Sequence, residues 1–203
     1  MIKKADIAVI VDHEGDERSL ITALKSGDRE AFSRVITNYR EKVVRLCRGY
    51  TASHEDAEDI AQESFVELYR SIHKFREEAS LSTWIYRIAI SRSLNHIRDN
   101  KNKFTLFKNN SVGREPDGEL SIEGESSDGD IITNDHRRAL RSALDKLPVN
   151  QKTAFILNKY EDLSYDEISD VMEISHSSVE SLIFRAKQNL QKSLLNYYKK
   201  NML

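Results

Sequence analysis

The chain has 203 residues, enough for one large or two small domains with a real core, and its single cysteine, Cys47, excludes both an intrachain disulfide and a cysteine-cluster zinc site. Hydrophobic residues at 39% against 32% charged, with a mean hydropathy of −0.58, leave no room for the roughly 20 near-continuous apolar residues of a membrane span. Seven glycines and two prolines are too few for a turn-rich sandwich or barrel, so helices are expected throughout, and the lone thiol fits a reducing, cytoplasmic setting.

Residues 1–19 read as an N-terminal extension. Its apolar stretch, Ile7-Ala8-Val9-Ile10-Val11, runs straight into Asp12 and falls short of the roughly 7–15 residues of a secretory core. Phe32, Val35, Ile36, Tyr39, Val43, Leu46, Cys47 and Tyr50 then recur at intervals of three and four, one stripe of a long helix with Asp28 as its N-cap. Cys47 lies on that stripe and reads as a buried structural thiol. A second stripe follows through Ala57, Ile60, Ala61, Ser64, Phe65, Leu68 and Ile72, opened by Ser53 and closed before Phe75; its outward face carries Glu55, Asp56, Glu58, Asp59, Glu63 and Glu67. A third helix is expected from about Ser82, with Trp84, Ile85, Ile88 and Ala89 apolar, and Arg87, Arg92, Asn95, Arg98, Lys101 and Lys103 following. Residues 55–78 hold eight acids and three bases, whereas 84–103 hold five bases and one acid. Such faces are either plainly solvated or turned toward one basic and one acidic partner.

A net charge of −2 conceals an uneven partition. Between Val112 and Asp135 stand eight acids against Arg114 alone, together with Pro116 and four of the seven glycines, so the rest of the chain is positive by five charges. That composition cannot bury enough surface to order itself, and residues 104–135 read as a flexible acidic linker between two helical blocks.

The second block, 136–198, opens with Leu140, Ala143, Leu144 and Leu147 on one helix. Pro148 suits the first turn of the next, which runs through Phe155, Ile156 and Tyr160. Ser164 and Glu167 have capping-box spacing ahead of Ile168, Val171 and Met172. The pattern breaks at Glu173-Ile174-Ser175, and Ser175 can cap a longer helix with Val179, Leu182, Ile183, Ala186 and Leu190 inward. Short helix, three-residue turn and longer helix make a helix-turn-helix. The opposite face of the longer helix offers Ser177, Ser178, Glu180, Ser181, Phe184, Arg185 and Gln188, with Lys187 at its edge. Its polar N-terminal residues suit base edges, Arg185 and Lys187 suit phosphate, and Phe184 has packing on a neighbouring helix as its alternative.

Along nearly the whole chain these residues resemble a known family. Asp56-Ala57-Glu58-Asp59-Ile60-Ala61-Gln62-Glu63-Ser64-Phe65, Phe75 and Ser82-Thr83-Trp84-Ile85-Tyr86-Arg87-Ile88-Ala89 resemble region 2 of the extracytoplasmic-function (ECF) sigma factors. Leu147-Pro148, Leu163-Ser164-Tyr165-Asp166-Glu167-Ile168 and Val179-Glu180-Ser181-Leu182-Ile183-Phe184-Arg185-Ala186-Lys187 resemble their region 4. The resemblance implies an all-α protein of two small helical domains: region 2 at 20–103 and region 4 at 136–198. It further implies a dissociable subunit of bacterial RNA polymerase that directs transcription initiation at promoters, often restrained by an anti-sigma protein. Asp56, Glu58, Asp59, Gln62 and Glu63 would dock on the clamp helices of the β′ subunit, with the β subunit also contacted. Phe75, Arg76, Thr83, Trp84, Arg87, Ser91, Arg92, Asn95 and Arg98 would open and hold the −10 element, with core packing the alternative role of Trp84. Ser177, Ser178, Glu180, Ser181, Arg185 and Lys187 would meet the −35 element in the major groove. Three positions depart from the family pattern: Ser91 where Asn is common, Ser177-Ser178 in place of Gly-Thr, and Glu180 in place of Lys, a carboxylate that can accept from cytosine N4.

Two other classes compete. An enzyme is disfavoured, because nucleophile-elbow, P-loop and zinc-protease motifs are absent and the six histidines are scattered, so no catalytic residue, metal, cofactor or small-molecule substrate is expected. The run Asp128-Gly129-Asp130-Ile131-Ile132 fails the calcium-loop pattern at Ile132. A free-standing helix-turn-helix regulator would account for residues 148–190 and leave the acidic helix, the loop and the basic helix without employment.

Overall fold

The computed structural model describes the backbone of residues 13–51, 53–110 and 131–201, and side-chain surroundings for most of these. The stretch Ile7–Val11 and the acidic run from residue 111 to 130 lie outside the described residues. Within them the chain is all-α. Helices α1 (His13–Lys25), α2 (Arg29–Arg48), α3 (His54–Ser71) and α4 (Leu81–Asn110) form one unit. Helices α5 (Ile131–Asp145), α6 (Val149–Tyr160), α7 (Tyr165–Met172) and α8 (His176–Asn201) form the other.

Local chemistry starts these helices where the sequence places their caps. The Asp28 carboxylate accepts from the N–H groups of Glu30 at 2.8 Å and Ala31 at 3.3 Å, and the Ser53 hydroxyl accepts from Asp56 N–H at 3.1 Å. Gly27, at φ +81°, supplies the left-handed turn between α1 and α2. Ser164 and Glu167 close a capping box on α7, with bonds of 3.2 and 2.8 Å. Pro148 stands one position earlier than expected, at the N-cap of α6, where its extended backbone breaks the path from α5. Helix α4 runs past residue 103 as far as Asn110, since neither Gly nor Pro intervenes before Gly113. Helical backbone therefore covers both ends of the segment read as linker, 104–110 and 131–135.

Helix α1 was not expected, and it belongs to the core. Ile21 and Leu24 are buried, and Glu17 Oε1 accepts from the first N–H of α4, Leu81, at 2.7 Å. Residues 17–19, read from the sequence as part of an N-terminal extension, are thus built into the first unit. The α2 stripe packs on α3 and α4 as its periodicity predicts, with Val35, Val43, Leu46 and Cys47 fully buried. Burial pushes the Cys47 thiol up to about 11, against the opposing pull of a hydrogen bond with Ser93, so it is a structural group at neutral pH.

The two units are packed on each other. One apolar cluster runs continuously from Ile21 and Val35 through Ile85 to Ile156, Ile168, Val179 and Ile183. A smaller one, with Ala143, Leu144, Leu147, Ala186 and Leu190, lies within the second unit. Where α2 meets α6, a Cβ on Gly49 would lie 2.5 Å from Ile156 Cδ1, so any larger residue would have to displace this fully buried side chain. The buried hydroxyls of Tyr50 and Thr153 share a hydrogen bond of 2.7 Å. Beside them Arg45 donates twice to the Glu161 carboxylate, at 2.9 and 3.0 Å, and Arg141 donates to the Arg48 carbonyl. Burial raises the Glu161 pKa, and the Arg45 guanidinium opposes that rise.

Candidate nucleic-acid and protein interface

Helix α3 presents the acidic face. Glu55, Asp59, Gln62 and Glu63 are exposed, while Asp56 and Glu58 are partly shielded. Asp56 accepts from the Thr51 hydroxyl at 3.1 Å and lies 3.6 Å from His96 Nε2; Glu58 pairs with Arg40 at 2.9 Å. The same face continues through Val66 and Tyr69, large apolar side chains left in solvent and braced by an edge contact of Tyr69 on Phe32 at 5.1 Å. They fall seven and ten residues after Asp59, on its side of the helix. Their place off the buried stripe was the signal that could have marked them in the sequence.

The acidic and basic faces are less separate than their charges suggest, because Arg92 of α4 reaches across to Glu67 at 2.6 Å and to Glu63 at 4.0 Å. Around it the expected −10 residues divide. Phe75 is only 4% exposed and packs against Trp84, ring centroids 5.6 Å apart, and Thr83 is buried with its hydroxyl 2.9 Å from that of Ser80. As placed here, Phe75 and Thr83 are core and loop-shaping groups, not surface contacts, because the turn Ile72–Lys74 folds the chain back onto the bundle. Trp84 is partly buried, and its indole N–H has no partner among the described residues. Arg76, Ser91 and Arg98 are exposed, Arg98 beside Asp99 at 3.5 Å, and Asn95 is half-buried. Arg87 points into the seam between units, donating to the Asp170 carbonyl at 2.6 Å and pairing with Glu173 at 3.0 Å.

The −35 group lies together on α8. Ser177, Ser178, Glu180, Ser181, Arg185 and Lys187 are all exposed, while Val179, Ile183 and Ala186 face inward. The Ser175 hydroxyl accepts from Ser178 N–H at 3.3 Å and starts the helix. The turn at Glu173 takes the left-handed conformation, φ 55°, which stops α7 after two turns. Phe184 is 60% exposed in the middle of this polar face, so its packing alternative does not hold among the described residues. His176, unnoticed in the sequence, lies 2.7 Å from the Asp166 carboxylate and edge-on to Tyr165, joining the starts of the two helices.

Comparison with known proteins follows the same division. Residues 35–103 match sigma-70 region 2, and residues 137–190 match sigma-70 region 4. The chain is 30% identical to the ECF RNA polymerase sigma-E factor of Haemophilus influenzae, over 88% of this chain and 95% of that protein. It is also 30% identical to the RNA polymerase sigma-H factor of Pseudomonas aeruginosa, over 88% and 93%. In fold it is similar to CnrH, solved in complex with the cytosolic domain of CnrY, with a TM-score of 0.65 at 19% identity over 89% of this chain and 97% of that one. A further likeness is the sigma factor RpoE solved with the anti-sigma factor NepR from Bartonella quintana, with a TM-score of 0.60 at 18% identity over 80% and 96%.

Proposed function

Because the chain belongs to the ECF RNA polymerase sigma factors of the sigma-70 family, we propose a role for each exposed face. The protein binds core RNA polymerase and directs promoter recognition and transcription initiation; it is not an enzyme. The free-standing regulator finds no support, since residues 35–103 carry sigma region 2 and thereby occupy the elements that regulator left idle.

In our reading the α3 face around Asp59, Gln62 and Glu63 docks on the β′ clamp helices, with Val66 and Tyr69 adding apolar area. Asp56 and Glu58, held in internal contacts, shape the start of that face. The exposed Arg76, Ser91 and Arg98, with Arg87 and Arg92 once their acidic partners yield, hold the −10 strand, above a loop set by Phe75, Thr83 and Trp84. The α8 face from Ser177 to Lys187 enters the −35 major groove. The observation that carries this is the capped α7, three-residue turn and α8, which leave a largely polar face, broken only by Phe184, exposed at the N-terminal half of a long helix. Among the described residues no helix is long and apolar enough to cross a membrane, and we place the protein in the cytoplasm with the polymerase, subject to restraint by an anti-sigma protein.

Co-elution with core polymerase tests the docking face. Asp59→Lys with Gln62→Lys should abolish it while helical content and melting temperature stay near wild type, because exposed substitutions usually change stability by about 0.5 kcal/mol or less. Undiminished co-elution would remove this face from the interface.

A further inference from the structure

The contact that fills Arg87 is unusual in composition. One terminal nitrogen meets the Glu173 carboxylate at 3.0 Å, the other meets the Asp170 carbonyl at 2.6 Å, and the buried Nε has no partner among the described residues. A guanidinium offers donors in a planar fork that a phosphate, with several oxygens, can satisfy more fully than this pair does. The acid itself sits where an acid is disfavoured. Glu173 adopts φ 55° and ψ 44° at the C-cap of α7, a conformation that Gly and Asn take with less strain. From there its side chain, 70% exposed, reaches a guanidinium only 28% exposed across the seam. Ser91 lines the same cleft, of about 370 Å³, between α4, α6 and α7.

Both sides of the seam share the apolar cluster and both carry an ion pair, but the two acids differ in access to water. Beside the buried Tyr50–Thr153 bond the Glu161 carboxylate is shielded against Arg45, whereas at the α4–α7 rim the Glu173 carboxylate meets Arg87 open to solvent. Exposed pairs of this kind contribute little and are readily exchanged. We infer that Glu173 is an intramolecular counter-charge that occupies Arg87 in place of nucleic-acid phosphate and masks it in the free protein, an inference that rests on the proposed contact of Arg87 with the −10 strand. Release of Arg87 then requires a polyanion to displace one carboxylate.

Fluorescence anisotropy of the full chain with a labelled, mixed-sequence single-stranded 20-mer, over a series of salt concentrations, tests this. Glu173→Gly suits the left-handed backbone and should leave the fold intact. It should tighten binding by about fivefold, the equivalent of one exposed ion pair, and steepen the salt slope by about 0.7. Asp170→Asn, which removes an equal charge from a side chain outside the pair, should tighten it distinctly less. The gain should vanish in Arg87→Ala with Glu173→Gly. Equal affinity for wild type and Glu173→Gly, with Arg87→Ala weaker than both, overturns the counter-charge and leaves the DNA contact standing. If Arg87→Ala has no effect even beside Glu173→Gly, the DNA contact itself fails and the inference falls with it. A gain as large in Asp170→Asn reduces the effect to net charge and also overturns it.

Discussion

Arg185 and Glu180 stand five residues apart on the exposed surface of α8, and their charges give them different physics against DNA. If Arg185 meets phosphate, Arg185→Ala should weaken −35 binding on every sequence alike and lower the salt slope by about 0.9, since one fewer counterion is released. If Glu180 accepts from a base edge, Glu180→Ala should cost on the order of 1–3 kcal/mol on the preferred site alone, with the salt slope retained. Binding to a series of −35 variants at several salt concentrations separates them, and uniform loss for Glu180→Ala would remove it from base reading. Residues on a clean helical stripe were legible at this scale: Cys47 and Val179 are buried as their spacing predicts, and Ser177, Ser178, Glu180, Ser181, Arg185 and Lys187 are exposed. Phe75 and Thr83 were not, because they sit in and after a loop whose return onto the bundle has no periodicity to reveal it.

Helix starts were legible for a related reason. Asp28, Ser53, Ser164 and Ser175 cap within three residues of themselves, so the sequence holds both partners of each bond side by side. The start of α4 is different. Ser80 accepts from Thr83 N–H locally, at 3.2 Å, but Leu81 N–H is satisfied by Glu17, 64 residues earlier. No local pattern exposes a cap supplied from so far, and this is also why α1 went unread. Glu17→Ala should cost about 1 kcal/mol in thermal or denaturant unfolding, as loss of an N-cap does, with amide exchange quickening at Leu81. Glu17→Gln keeps an acceptor and should cost less, the difference measuring the attraction of the charge to the helix start. Equal stability of all three proteins would mean that the first helix is held by its apolar face at Ile21 and Leu24 and by the Lys25–Glu77 pair, without help from Glu17.

The packing of one unit on the other was not legible, because it depends on apolar and polar groups that each block already uses in its own pattern. Ile156 and Tyr50 read as core positions of separate helices, and nothing local states that they belong to the same core. Gly49 is the most direct probe. Its φ of −63° is helical, so in open space alanine there would stabilise by about 0.5–1 kcal/mol. With Ile156 Cδ1 at 2.5 Å and the Leu46 carbonyl at 3.0 Å, the added methyl must push the fully buried Ile156 side chain out of its place. Gly49→Ala should therefore destabilise by about 1–3 kcal/mol and enlarge the particle in small-angle scattering as the seam opens. A raised melting temperature with unchanged dimensions would show that the units are not held together in solution.

The seam also imposes an order on biosynthesis. Tyr50 and Thr153 are 103 residues apart in the chain, and Arg45 and Glu161 are 116 apart. At the roughly 5–20 residues per second of a ribosome, the face of the first unit stands bare for about 5–20 s before its cover is made. A nascent chain in that interval shows Gly49 and Tyr50 to whatever surrounds the exit tunnel. Any protein at the exit tunnel therefore has access to this face well before the rest of the molecule does.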